Sequence, residues 1–140
     1  MKPEKGFTLI ELVVVMVIVA VLGAIVFPQV MKSLNRAKVV ADVKAAKEIA
    51  QSFYLWEIEQ NTLLSDIILD NNFHEITGDV INLDANHFIK LSDYISGGTP
   101  KPTLNRNYSF YYRFDSVLKV YAGDGTNFWE LYPNFDKSYK

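Results

Sequence analysis

Glu11 is the residue whose position most demands a chemical reason. It stands four places after Phe7 and directly before a run, residues 12–27, with no charged or strongly polar side chain. An ionised carboxylate at membrane depth costs roughly 2.5–3.5 kcal/mol even on lenient insertion scales. One reading places the acid near the end of the run, where its side chain reaches the interface. The other supplies a cation at the same depth. Cleavage before Phe7 creates such a cation, a new α-amine four residues from the carboxylate. The amine of a neighbouring chain displaced along the helix axis serves equally well, and a buried acid then becomes an assembly device.

Other residue types give less. The two histidines, His74 and His87, form no readable triad with Ser and Asp. There is no glycine-rich phosphate loop, so an enzyme is unsupported. With no cysteine, neither a disulfide framework nor a thiolate metal site can form. Asp115, Asp124 and Asp136 fall in the terminal loops, but the Asp-x-Asp-x-Asp-Gly spacing of a dedicated calcium loop is absent, and turn formation is the better reading. The formal net charge of −2 argues for no nucleic-acid partner. Lys32, Arg36, Lys38, Lys44 and Lys47 make a locally basic stretch, yet they spread around a helix with Asp42, Glu48, Glu57 and Glu59 interleaved. A solvated face, anionic lipid or acids of neighbouring chains suit that pattern better than DNA, which stays an open alternative.

The elements that carry these residues are legible from periodicity. As a helix, residues 7–27 would span about 32 Å, close to the roughly 30 Å hydrocarbon core. A secretory signal peptide has a shorter apolar region followed by a small-residue cleavage site, and neither condition is met well. Lysines flank both ends of the span, so charge alone leaves its orientation ambiguous. Pro28 lacks an N–H and crowds the preceding turn, and Gly23 weakens the same region, which predicts a kink or local melting between them. Beyond it, Val39, Val43, Ala46, Ala50 and Phe53 keep helical spacing, so an amphipathic continuation is predicted over residues 28–60. Residues 61–107 read as a connecting region with short helices at 63–69 and at 87–95, the second capped by Asn86. Residues 108–140 read as a three-stranded antiparallel meander: Tyr108, Phe110, Tyr112 and Phe114 alternate with polar neighbours, strands follow at 118–122 and 127–132, and Gly123-Asp124-Gly125 turns between those two. The expected fold class is α+β, a long N-terminal helix whose second half packs on a small C-terminal sheet.

The segment Lys5-Gly6-Phe7-Thr8-Leu9-Ile10-Glu11-Leu12-Val13-Val14-Val15 resembles the class III signal of type IV pilins and type II secretion pseudopilins. The match covers about residues 5–30. The resemblance implies that a membrane prepilin peptidase removes the leader, residues 1–6, cutting after Gly6, and N-methylates Phe7. It implies that Glu11, with Thr8 in the same stretch, guides filament assembly by pairing with the Phe7 amine of an adjacent subunit. Glycine before the scissile bond suits a protease that needs unhindered backbone. The implied partners are further copies of the chain, the peptidase, an inner-membrane assembly platform, minor pilins or pseudopilins, and lipid before assembly. The implied location is the bacterial inner membrane with the N-terminus cytoplasmic, and then a periplasmic or surface filament for adhesion, motility, DNA uptake or secretion. Similar major pseudopilins carry calcium near the C-terminus; this chain lacks the spacing for it. The competing readings are a major pseudopilin of a secretion system and a membrane-anchored binding module.

Overall fold

The computed structural model describes residues 6–140, so the leader residues Lys2, Glu4 and Lys5 lie outside the described residues. One helix, α1 (Leu9–Gln60), takes 52 of them, about 78 Å at about 1.5 Å per residue. Two compact units divide the chain, one ending at Arg36 and the other spanning Ala37–Lys140.

In the first unit the helix is made largely of valine, isoleucine and leucine, and every residue from 6 to 36 is exposed. Valine is an indifferent helix former in water, but in lipid the helix is the form that satisfies every backbone group within the segment. Gly23 and Pro28 lie inside unbroken helix. The predicted kink is therefore not a break in helical structure here, although Pro28 still cannot donate to the carbonyl of Ala24.

In the second unit α1 closes with a Schellman motif. Asn61 adopts φ +50°, its N–H donates to Ile58 O at 3.3 Å, and the Thr62 N–H donates to Glu57 O at 3.2 Å. The Glu57 carboxylate then accepts the Leu64 N–H at 2.9 Å, starting the one-turn helix α2 (Leu64–Ile67). A four-stranded antiparallel sheet follows, in the order β1 (His74–Ile76), β4 (Ser109–Asp115), β5 (Val117–Gly123), β6 (Phe128–Tyr132). A separate hairpin pairs β2 (Val80–Asn82) with β3 (Phe88–Lys90). The meander is present as expected and gains β1 at its edge, paired to β4 with Ile76 opposite Phe110. The predicted helix at 87–95 is corrected: it is strand β3 followed by a 3₁₀ turn, Leu91–Asp93. Asn86 caps no helix, because its N–H and that of His87 instead bind Asp84 Oδ1, both at 2.7 Å.

The core lies between α1 and the sheet. Ala46, Ile49, Ala50, Phe53 and Trp56 meet Phe110, Tyr112, Leu118, Val120, Ala122 and Leu131, each large side chain contributing about 1.5–3 kcal/mol of burial. Between Val120 and Tyr121 the register of β6 slips by one residue, Tyr132 and then Glu130 standing opposite them. The extra residue, Leu131, is buried in the core. Across the sheet's other face Phe73 stacks on Phe128 at 3.9 Å, and the Arg113 guanidinium lies 5.2 Å from the Phe73 ring centre. In the β5–β6 turn only Gly125 uses positive φ, at +89°, whereas Gly123 is required by close approach: a Cβ there would sit 2.5 Å from Asn127 O.

One polar contact ties the head together. Asp42, on α1, is fully buried. It accepts hydrogen bonds from the Thr103 N–H (2.6 Å), the Thr103 hydroxyl (2.8 Å), the Leu104 N–H (3.0 Å) and the Tyr139 hydroxyl (2.7 Å). One carboxylate thus fastens the end of a proline-rich loop and the C-terminal segment to the helix. Asp42→Ala strands three donors, the Thr103 hydroxyl keeping the Lys38 carbonyl at 3.2 Å, and the head should lose about 3–5 kcal/mol in denaturant unfolding followed by near-ultraviolet circular dichroism. Alkali provides a second test. Burial, and then the hydrogen bond to Asp42, raises the Tyr139 phenol above its ordinary range. Burial, and then the Asp70 charge, pushes Tyr112 up to about 12. Unfolded tyrosine titrates near 10, so this stabilisation is complete below about pH 10 and is lost as pH rises toward the folded values. The unfolding midpoint should fall between about pH 10 and 12, and Tyr139→Phe should flatten part of that slope.

Candidate functional site

The N-terminal turn carries the chemistry. Gly6, Phe7 and Thr8 precede the helix, and nothing lies within 4 Å of where a Gly6 side chain would start. Thr8 is the N-cap: its carbonyl accepts the Leu12 N–H at 3.3 Å, and its hydroxyl accepts the Glu11 N–H at 3.4 Å. Glu11, three residues on, reaches back. Its Oε2 accepts the Thr8 N–H at 2.8 Å and the Thr8 hydroxyl at 2.9 Å. This is a reciprocal capping box, and it satisfies donors that a helix end otherwise leaves open. Thr8 is thereby an orienting partner of Glu11. The carboxylate is turned toward the helix start and keeps Oε1 without a partner among the described residues.

Phe7 is 89% exposed, and the apolar side chains of residues 9–31 have no cover within the chain. This is the one helix among the described residues long and apolar enough to cross a membrane. The structure therefore brings Thr8 and Glu11 together in the first turn, with Phe7 just before it, and it places Gly23 and Pro28 well along the same helix.

The head's candidate residues are not brought together. Asp124 caps its own turn through the N–H groups of Asn127 (2.7 Å) and Thr126 (2.9 Å), which hold its carboxyl below the usual range. Asp136 is held below the usual range by the hydroxyl and N–H of Ser138. Asp115 stands 4.0 Å from Lys119. Among the described residues no three His, Cys, Asp or Glu side chains cluster to hold a metal ion. His74 bonds Asp70 at 2.7 Å and His87 bonds Asp84 at 2.8 Å, each within its own loop. In the basic stretch, Lys44 pairs with Glu48 at 3.7 Å.

Asp42 was missed as a structural hub when read as one of several interleaved surface acids. The signal was present: it lies three residues after Val39 and four before Ala46, on the stripe that is buried.

Comparisons with known proteins agree with this geometry. The profile of the prokaryotic N-terminal methylation motif matches residues 1–27. The type IV wide pilus major component of Thermus thermophilus is 27% identical over 105 residues, covering 71% of this chain and 79% of the relative. A fimbrial protein of Pseudomonas aeruginosa is 40% identical over 82 residues, 55% of this chain and 53% of the relative. The type II secretion system core protein G of the same organism is 40% identical over 58 residues, 41% of each chain. The chain thus spans about four fifths of the Thermus relative and about half or less of the two Pseudomonas ones. No solved structure matches significantly. With the methylation motif at the start of an exposed apolar helix and an α+β head with an antiparallel sheet, the chain is similar to type IV pilins and to a type II secretion pseudopilin.

Proposed function

We propose that this chain is a repeating subunit of a type IV pilus-like filament, made as a membrane-inserted precursor, cut between Gly6 and Phe7 and N-methylated on Phe7. The observation that carries this reading is the uncovered apolar helix that begins with the Thr8–Glu11 capping box. Before assembly lipid covers that helix, with the N-terminus on the cytoplasmic side; afterwards the same helices of neighbouring subunits cover it. Glu11 accepts the Phe7 α-amine of the adjacent subunit through the oxygen its own helix start leaves free. In water-free surroundings such a charge-assisted pair is worth more than at a surface and sets the axial register between subunits. Helical structure between Gly23 and Pro28 is the part of the span able to melt as subunits pack, because the Pro28 position already lacks one backbone bond. The partners that follow are the peptidase, an assembly platform and minor subunits. The role is structural rather than catalytic.

A second reading is a major pseudopilin of a type II secretion system. It is favoured by the 40% identity to core protein G over 58 residues and by the absence of cysteine. Both readings share the N-terminal mechanism.

Mass spectrometry of the mature chain, expressed with prepilin peptidase, should find methylated Phe7 as the first residue; an intact Met1 overturns the proposal. Two substitutions test the pair. Glu11→Ala should leave cleavage unchanged and lower incorporation into sheared filaments at least about tenfold, the equivalent of one charge-assisted hydrogen bond. Glu11→Gln can still accept from Thr8 in the capping box but carries no charge. It should fail in the same way, and normal filaments from it would remove the charge pair from the mechanism.

A further inference from the structure

Three segments of the head converge on a cavity of about 300 Å³. The last turn of α1 supplies Trp56 and Glu59, the end of the β2–β3 hairpin supplies His87 and Phe88, and the 3₁₀ turn leads into Asp93 and Tyr94. Several features set it apart from ordinary surface relief. Phe88 is 56% exposed while its neighbour Ile89 is fully buried, so the hairpin's core contact is made without it. The Trp56 ring is nearly buried and meets His87 edge-on at 5.9 Å. His87 is fixed in that attitude by Asp84, whose two oxygens lie 2.9 and 2.8 Å from Nδ1. The Tyr94 hydroxyl donates to Glu59 Oε2 at 2.6 Å, leaving the other oxygen of Glu59 unpartnered among the described residues. Burial, and then that bond, pushes the Tyr94 phenol up to about 12, so it stays a neutral ring at physiological pH.

Trp56, Phe88 and Tyr94 thus contribute the large rings of a wall that also carries the amides of Gln60 and Asn86, and its charge is acidic on balance. Lys90 and Asp93 stand 3.8 Å apart and offset one another, and Glu59 remains as the uncompensated charge. Aromatic faces attract cations through their quadrupole, best where the cation is weakly hydrated, and a carboxylate beside them adds Coulombic attraction. An anion meets the Glu59 charge and no free cation. The volume is at the small end of ligand cavities, which suits a headgroup better than an extended chain. We propose that this cavity is a binding site for a quaternary or methylated ammonium group of the choline type, seated against Phe88 and Tyr94, over the small part of Trp56 that reaches the cavity, with Glu59 as its counter-charge. The group could arrive on free choline or on a choline-bearing lipid or glycan; the recognition chemistry is the same.

The test uses the full chain, carrying ¹⁵N, in a detergent without a choline headgroup. Choline chloride is titrated against an equal concentration of sodium chloride, and the indole N–H resonances of Trp56 and Trp129 are followed. Saturable movement of the Trp56 signal, with Trp129 unmoved and no response to sodium chloride, is the expected result. Phe88→Ala and Glu59→Gln, both at exposed positions, should each raise the apparent Kd at least about fivefold without changing the unfolding midpoint. Repeating the titration with phosphocholine-coated and phosphoglycerol-coated nanodiscs separates the free from the carried headgroup. No saturable shift, a shift equal in sodium chloride, affinity indifferent to both substitutions, or saturation by a neutral monosaccharide instead would each overturn the proposal.

Discussion

A single helix in this chain has to satisfy two solvents, and the rest of the structure follows from that constraint. Residues 9–31 of α1 have no cover inside the chain, whereas Ala46, Ile49, Ala50, Phe53 and Trp56 are enclosed by the sheet. Helical backbone continues through both halves apart from the one bond that Pro28 cannot make, so α1 remains one element from Leu9 to Gln60. What changes is the side-chain pattern: apolar all round where lipid or neighbouring helices must supply the cover, and a stripe where the head does so. The head can therefore close its own core without any contribution from the apolar half. That half is left free for an environment the chain itself does not provide.

A head of this size with no cysteine must be closed by packing and polar contacts. The sheet and α1 share an apolar core, and the loop at residues 97–104 and the C-terminal segment reach it through Leu104 and Tyr139. Asp42 adds a polar restraint to the same two segments. Its four hydrogen bonds reach residues 61, 62 and 97 positions away in sequence, so one side chain closes two long loops, a task that falls to cross-links in many secreted domains. Burying a carboxylate is costly unless its lone pairs are met. Here they are, and no buried side-chain donor or acceptor among the described residues is left without a partner.

Much of this was legible in the sequence, and the failures have physical causes. The long helix and strands β4 to β6 announce themselves because each repeats its apolar period over several residues. Strands β1, β2 and β3 are three residues each, too short for a period to register, and β1 pairs with a strand more than thirty positions away. The misread helix at 87–95 shows how an accidental period misleads. Phe88, Leu91 and Ile95 have helical spacing, yet Phe88 is exposed while Ile89 is buried, because alternation in β3 gives way to a 3₁₀ turn at Leu91. At the N-terminus the charge-free run singles out Glu11, and the resemblance adds Phe7 and Thr8, but neither gives the direction in which the carboxylate points. That depends on the Thr8 N–H and hydroxyl, which act only once a helix has started.

The capping box bears on how a membrane acid is tolerated before its proposed partner exists. An isolated carboxylate at the edge of an apolar helix would be held there against its solvation. The Thr8 N–H and hydroxyl both donate to Glu11 Oε2, so half of the carboxylate is solvated by the helix's own first turn while the rest stays available. A helix N-terminus also favours negative charge in its own right. The cost of the acid is thus lowered within the single subunit without using up its capacity for a neighbour. On the proposed reading, removal of the leader leaves an amine at Phe7, and that cation then meets the Glu11 of a neighbouring subunit, already oriented to receive it. Stability of the waiting subunit and readiness for assembly rest on the same three residues, and a change at Thr8 acts on both.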